Sequence, residues 1–318
     1  MTITQLHYVL AVAEYKNFTL AAEKCFVTQP TLSMQIQKLE DELDILIFDR
    51  SKKPIILTEV GEKIVNQAKN IVNEAGRIKD IVDQQKGYIG GEFKIGIIPT
   101  IMPTLLPMFL NNFIKKYPKV NLIIEEQTTE EIIKKLKNGH LDCAIAATPL
   151  EEEHLKEIVL YFEPFVAYLP DNHSSLKNKK ITVDELDFDT ILLLQDGHCF
   201  RNGILNLCKN NNYIVDNHFQ LESGSFETLI KLADEGLGTT LLPYLHTLDL
   251  NDKNKAKLRD FKDPKPAREV SLIYPKNELK LHIINALRDV ISGVVRGAIA
   301  FSDVEIISPK PKKNKSPY

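Results

Sequence analysis

At 318 residues, 43% apolar and 26% charged, the chain can bury two or three cores of ordinary size, and its net charge of −3 excludes a strongly basic nucleic-acid coat. Met1 to Phe18 lacks the cationic and apolar stretches of a signal peptide, and the apolar stretch Val290 to Ile307 is broken by Arg296, Asp303 and Glu305. Neither secretion nor a membrane span is expected, so the expected location is the cytoplasm. In that reducing compartment, four cysteines with no CxxC pair point away from structural disulfides and zinc, towards buried thiols or a redox switch.

Leu6, Val9, Leu10 and Ala13, then Leu20 and Ala21, recur at helical spacing and predict two short helices broken at Lys16-Asn17-Phe18, with Thr19 capping the second. Thr28-Gln29-Pro30 predicts a third, because a polar cap precedes proline in the first helical turn. Its apolar seam is Leu32, Ile36, Leu39 and Leu43, which leaves Thr31, Ser33, Gln35 and Lys38 facing outward. Two short helices joined by a tight turn, the second polar outside, fit a DNA major groove. Phe48 to Thr58 reads as a basic hairpin, or wing. Residues 1–58 hold six Lys or Arg against seven Asp or Glu, so any phosphate contacts must come from that wing, from hydroxyls and from helix N-termini. From Glu59, the spacing of Ile64, Ala68, Ile71, Ala75, Ile78 and Val82 alternates between four and three. It predicts a helix over 59–87 that either dimerises as a coiled coil or packs on its own domain. Gly90-Gly91 is a natural hinge.

The run FTLAAEKCFVTQPTLSMQIQKLEDELDILIFDR, with Thr58 and Gly61 after it, resembles the N-terminal domain of LysR-type transcriptional regulators. That resemblance implies a winged helix-turn-helix over 1–58. Pro30-Thr31-Leu32-Ser33 would open the recognition helix, Gln29, Thr31, Ser33 and Gln35 would face operator DNA, and Arg50 would act at the wing.

Beyond Gly91, short apolar strands alternate with amphipathic helices, a βαβ rhythm that predicts a parallel sheet covered on both faces. The family resemblance implies a periplasmic-binding-protein-like effector region of two α/β subdomains, 92–161 plus 268–301 and 162–267. The chain would cross between them near Tyr161 and Ala267, with ligand sites between the lobes at the C-terminal ends of strands. Residues 302–318, with Lys310, Lys312, Lys313 and Lys315 among three prolines, are expected to form a disordered basic tail, either neutral or adding nonspecific DNA affinity.

Asp196-Gly197-His198-Cys199-Phe200-Arg201, followed by Cys208, could carry chemistry. The pattern predicts a helix starting near Cys199 with Asp196 as candidate cap. In the first turn, exposed N–H groups and the helix dipole favour a thiolate, with His198 and Arg201 as candidates to help. Nine residues of helix separate the two cysteine Cα atoms by about 13 to 14 Å. A disulfide needs less than about 7 Å, so forming one must unwind the helix. Two buried, inert thiols are the alternative.

GHCFR with that second cysteine, together with IPT at 98–100, QTT at 127–129 and LDC at 141–143, resembles the hydrogen-peroxide-sensing members of the LysR-type family over nearly the whole chain. The resemblance implies that Cys199 is the peroxidatic residue, oxidised to a sulfenic acid, and Cys208 the resolving one. Thr100, Thr129, Gly197 and His198 would hold peroxide and manage its protons, and Arg268 would support the thiolate. It implies an activator that works as a homodimer or homotetramer with RNA polymerase, rather than an enzyme, and no cofactor. Cys25 and Cys143 read as core residues, and the remaining histidines show no metal-ligand spacing. Two other readings stay open: a metabolite-responsive regulator in which Thr100 and Thr129 bind a small carboxylate, and a thiol peroxidase, which the helix-turn-helix argues against.

Overall fold

The computed structural model describes residues 1–85, 89–186, 190–209, 223–299 and 304–310. The chain divides into two compact units, Met1–Lys86 and Gly87–Tyr318.

The first unit comprises α1 (Ile3–Tyr15), α2 (Phe18–Lys24), α3 (Gln29–Leu43), the two-stranded wing β1 (Phe48–Asp49) and β2 (Ile56–Leu57), and α4 (Glu59–Gln85). Thr28 caps α3 by accepting from the Thr31 amide. The cap of α2 is Asn17, whose side chain accepts from the Thr19 and Leu20 amides, and not Thr19. Asn17 has the extended backbone that a cap needs, whereas Thr19 already lies inside the helix. Leu6, Val9, Val12, Ala21, Leu32, Ile36 and Leu39 form the core. Of the α4 seam, Ala68 is buried in this core and Ile64 and Ile71 pack against it, while Ile78 and Val82 are exposed. Gly61 is obligatory in the first turn of α4: a Cβ there would lie 2.1 Å from the Ile47 carbonyl oxygen.

The second unit comprises β3 (Gly91–Ile97), α5 (Met102–Lys116), β4 (Val120–Glu126), α6 (Thr129–Lys137), β5 (Cys143–Thr148), β6 (Leu155–Tyr168), β7 (Lys180–Ile181), α7 (Cys199–Lys209), α8 (Phe226–Asp234), β8 (Thr240–Pro243), α9 (Tyr244–Leu248), α10 (Asp252–Lys255), β9 (Leu258–Phe261), β10 (Lys265–Pro275), α11 (Leu281–Val295) and β11 (Val304–Ile306). The strand order is β4-β3-β5-β10-β6-β9-β7, with β11 on β10 and β8 on β6. β3 pairs in parallel with β4 and β5 as the βαβ rhythm requires, but β10 runs antiparallel to both β5 and β6. The sheet is therefore mixed rather than parallel. The reason is that β6 is a long strand carrying residues of both cores, and after building the second core the chain returns as β10 directly against it, running the opposite way.

Leu155 and Tyr161 of β6 belong to one core, around Phe93, Ile95, Phe109 and Leu287, whereas Phe165, Ala167 and Tyr168 belong to the other, around Leu194, Phe200, Leu241 and Phe261. Disorder from residue 302 onward does not hold for 304–310. Val304–Ile306 form β11, Ile307 is buried in the second core, and Asn206 of α7 donates to the carbonyls of Ser308 and Lys310 at 2.9 and 2.6 Å. The backbone groups of this segment thus find partners that its composition alone does not reveal. Residues 311–318, the rest of the expected tail, lie outside the described residues. Among the described residues, no helix is long and apolar enough to cross a membrane.

Candidate functional site

Cys199 is the first residue of α7 and stands at the seam of the two cores. Its side chain, 7% exposed, packs in the first, while that of the next residue, Phe200, packs in the second. Gly197 makes the turn before it with φ +90, a left-handed conformation that disfavours any side chain. Since α7 begins at Cys199, the cap position falls on His198 and not on Asp196. Asp196 is solvent-exposed and pairs with Arg201 Nε at 2.8 Å, while Arg201 Nη1 donates to the Leu194 carbonyl at 2.9 Å, so Arg201 staples the loop to the helix rather than assisting the sulfur.

Thr100 follows the C-terminal end of β3 and Thr129 that of β4, the place where α/β folds bind ligands. Thr100 is buried and accepts from Arg268 Nη1 at 2.8 Å, and its carbonyl accepts from Nη2 at 3.0 Å. The buried Thr129 hydroxyl has no partner that meets full hydrogen-bond geometry, yet it is close enough to the Cys199 sulfur to pull the thiol pKa down. His198 is buried, and burial lowers its pKa against the opposing pull of Glu126, so its resting form is the neutral imidazole.

The expected thiolate is not the resting form either. Burial pushes the Cys199 thiol up, and the Arg268 guanidinium, Thr129 and the backbone of Ala147 and Phe200 offset this only in part. The helix start does carry the sulfur, but the sulfur loses more hydration at the seam than the helix end returns. Cys143 is fully buried, its thiol also pushed up by burial, and Cys25 is half-buried; both are free thiols, as is Cys199. Cys208 lies in α7, and its side chain is outside the described residues.

Arg268, which the resemblance offers only as support for the thiolate, is central here. Its guanidinium lies over the Phe200 ring at 5.2 Å, reaches Thr100, and meets the wholly buried Glu163, its register partner on β6, at 2.7 Å. Glu163 was missed. The available signal was a single acid in the otherwise apolar run Ile158 to Tyr168.

In the first unit, Gln29, Pro30 and Thr31 are exposed at the start of α3, while Ser33 and Gln35 are half-buried. Gln5 Nε2 approaches the Gln35 carbonyl and side-chain oxygens at 3.3 and 3.4 Å. Arg50 is engaged within the unit, donating to Glu40 at 2.6 Å and Ser33 at 3.5 Å with its guanidinium over Phe18.

Residues 3–62 match the bacterial regulatory helix-turn-helix family of LysR type, and residues 86–296 match the LysR substrate-binding domain. The chain belongs to the LysR family of bacterial regulators. Within it, the chain falls in the OxyR group. It is 32% identical to a hydrogen peroxide-inducible genes activator of Haemophilus influenzae, covering 93% of this chain and 99% of that one. It is 33% identical to the dual regulator OxyR of Escherichia coli K12, covering 86% and 89%. Among solved structures it resembles a full-length cysteine-to-aspartate variant of OxyR from Pseudomonas aeruginosa, with TM-score 0.72, 34% identity and coverage of 92% and 98%. A cysteine-substituted, peroxide-bound OxyR of Corynebacterium glutamicum aligns with TM-score 0.62, 27% identity and 93% of each chain.

Proposed function

We propose that this chain is a cytoplasmic transcriptional activator that senses hydrogen peroxide at Cys199. The carrying observation is the placement of Cys199 at the seam of two cores, beside an arginine fixed on Thr100. Thr100, Thr129, Gly197 and His198 form the peroxide pocket. Neutral His198 takes the thiol proton as the sulfur attacks one peroxide oxygen. The O–O bond breaks, Cys199 becomes a sulfenic acid, and the proton returns to the departing hydroxide as water. The Cys208 thiol then attacks the sulfenic sulfur, releasing a second water and closing the disulfide. Since α7 holds the two cysteines too far apart, the bond forms only as the helix unwinds, which makes oxidation a conformational signal.

In this reading α3 presents Gln29, Pro30, Thr31, Ser33 and Gln35 to operator DNA. The exposed seam around Ile78 and Val82 of α4 dimerises, dimers pair as a homotetramer, and RNA polymerase is engaged on oxidation. Arg50 supports the wing by holding Glu40. The chain consumes peroxide as a signal and not in turnover, so it is not an enzyme.

Mapping disulfides by mass spectrometry after a brief, slight excess of peroxide tests the switch. A selective Cys199–Cys208 bridge is expected, and Cys199→Ser should abolish peroxide induction of a reporter. An unchanged response in that variant, with no bridge in the native chain, would favour a metabolite effector instead.

A further inference from the structure

Glu163 is a carboxylate with no exposure, on β6 where the chain passes from one core to the other. Both of its oxygens are committed: Oε2 accepts from Arg268 Nε and Nη2 at 2.9 and 2.7 Å, and Oε1 accepts from the Leu245 amide of α9 at 2.9 Å. The other bonds of the guanidinium go to Thr100. Arg268 therefore has a fixed place, with its guanidinium 5.2 Å over the ring of Phe200, the residue after Cys199, and it pulls the Cys199 thiol pKa down while carrying an opposite charge bonded to it.

We propose that Glu163 is a positioning residue that restrains the peroxide site: it holds Arg268 against Thr100 while offsetting the attraction of Arg268 for a Cys199 thiolate, and so sets how readily the thiol ionises. The inference rests on the reading of Cys199 as the residue that reacts with peroxide.

The other titratable groups around the pair do not supply this balance. Tyr161, on the same strand, is held protonated by burial and then by Glu163. His246 of α9 is kept neutral chiefly by burial, although Glu227, Asp249 and Glu163 favour its charged form. His198, the residue before Cys199, is likewise neutral, and Glu126 acts on it from the end of β4. At neutral pH the fixed charges in contact at the pair are Glu163 and Arg268. Removing the acid while keeping its shape leaves a buried, uncompensated cation whose field favours the thiolate.

The test is the pH profile of Cys199 alkylation by iodoacetamide, read by mass spectrometry in the full-length Cys208→Ser chain. Glu163→Gln should move the midpoint down by about one pH unit and speed alkylation at pH 7 up to about tenfold. Glu163→Asp, which keeps the charge, should restore the original midpoint. A Glu163→Gln midpoint that is unchanged or raised overturns the proposal.

Should Glu163→Gln show no cooperative thermal melt, the comparison passes to Arg268→Gln and the double variant Glu163→Gln/Arg268→Gln. The single change should raise the midpoint and the double should bring it back towards the native value, because removing both charges removes both effects. A double variant as high as Arg268→Gln overturns the proposal. Alkylation reads ionisation alone, so the two failures differ: a native chain that peroxide leaves unoxidised sinks the functional reading on which this one rests, whereas an unmoved Glu163→Gln midpoint sinks this one and leaves the functional reading standing.

Discussion

Arg50 donates to Glu40, a carboxylate only 3% exposed, whose other oxygen accepts from the Ile47 and Phe48 amides at 2.8 and 3.2 Å. Replacing Arg50 with alanine leaves that carboxylate short of its cation. Since the guanidinium is itself 37% exposed, the expected loss of stability is modest, about 1 kcal/mol. Thermal melts of Arg50→Ala should show the lower midpoint without DNA present, and a melt matching the native chain would mean that the arginine is free to serve DNA alone. Arg50 was legible as a wing residue but its partner was not, because Glu40 lies on the far side of a turn and looks in sequence like one of several helix acids. The same holds for the pair across β6 and β10. Thr100, Thr129, His198 and Cys199 are carried by short local motifs, whereas Glu163 and Arg268 meet over 105 positions of chain and no local pattern pairs them.

The start of α7 near Cys199 was legible from the local pattern, because a helix is a local object. The protonation state of Cys199 was not, because its burial depends on two cores assembled from distant strands. One residue of α7 can be used to weigh the unwinding step. Gly203 lies mid-helix, and a Cβ there would make ordinary contact with Phe165 at 3.4 Å. Gly203→Ala should thus fit and stabilise the helix by about 0.5 to 1 kcal/mol. If unwinding precedes closure of the disulfide, bridging after a peroxide pulse should slow by about two- to fivefold, while sulfenic acid formation keeps its rate. Quenched alkylation at successive times reads both steps, and equal bridging rates in the two chains would remove helix opening from the pathway. The mixed sheet belongs to this scale as well: the βαβ rhythm reads through β5, and the antiparallel return of β10 is invisible until β6 is known to lie beside it.

For the whole effector unit, His198 is buried and His246 half-buried, both as neutral rings with pKa values below the ordinary one, loss of hydration being the main cause for both. In the unfolded chain each takes up a proton near pH 6.5, so the unfolded state binds more protons between the folded value and about 6.5. Stability from these two residues is complete above about pH 6.5 and is lost as pH falls through the lowered folded values. Urea unfolding at pH 7.5 and 5.5 should show weaker folding in acid, and His246→Gln should narrow the difference. A difference of the same size in that variant would place the acid sensitivity elsewhere.

The bonds from Asn206 to the carbonyls of Ser308 and Lys310, with Ile307 in the second core, carry a genetic consequence. A nonsense codon after Ile299 would spare both cysteines, every strand from β3 to β10 and the whole DNA-binding unit, and would look harmless on a map of motifs. It would nevertheless leave the sensor helix without two of its acceptors and uncover Gly203 beside Phe165. Amide hydrogens of α7 should then exchange faster before any oxidant is added, so selection on peroxide signalling reaches past both cysteines to Ile307, Ser308 and Lys310.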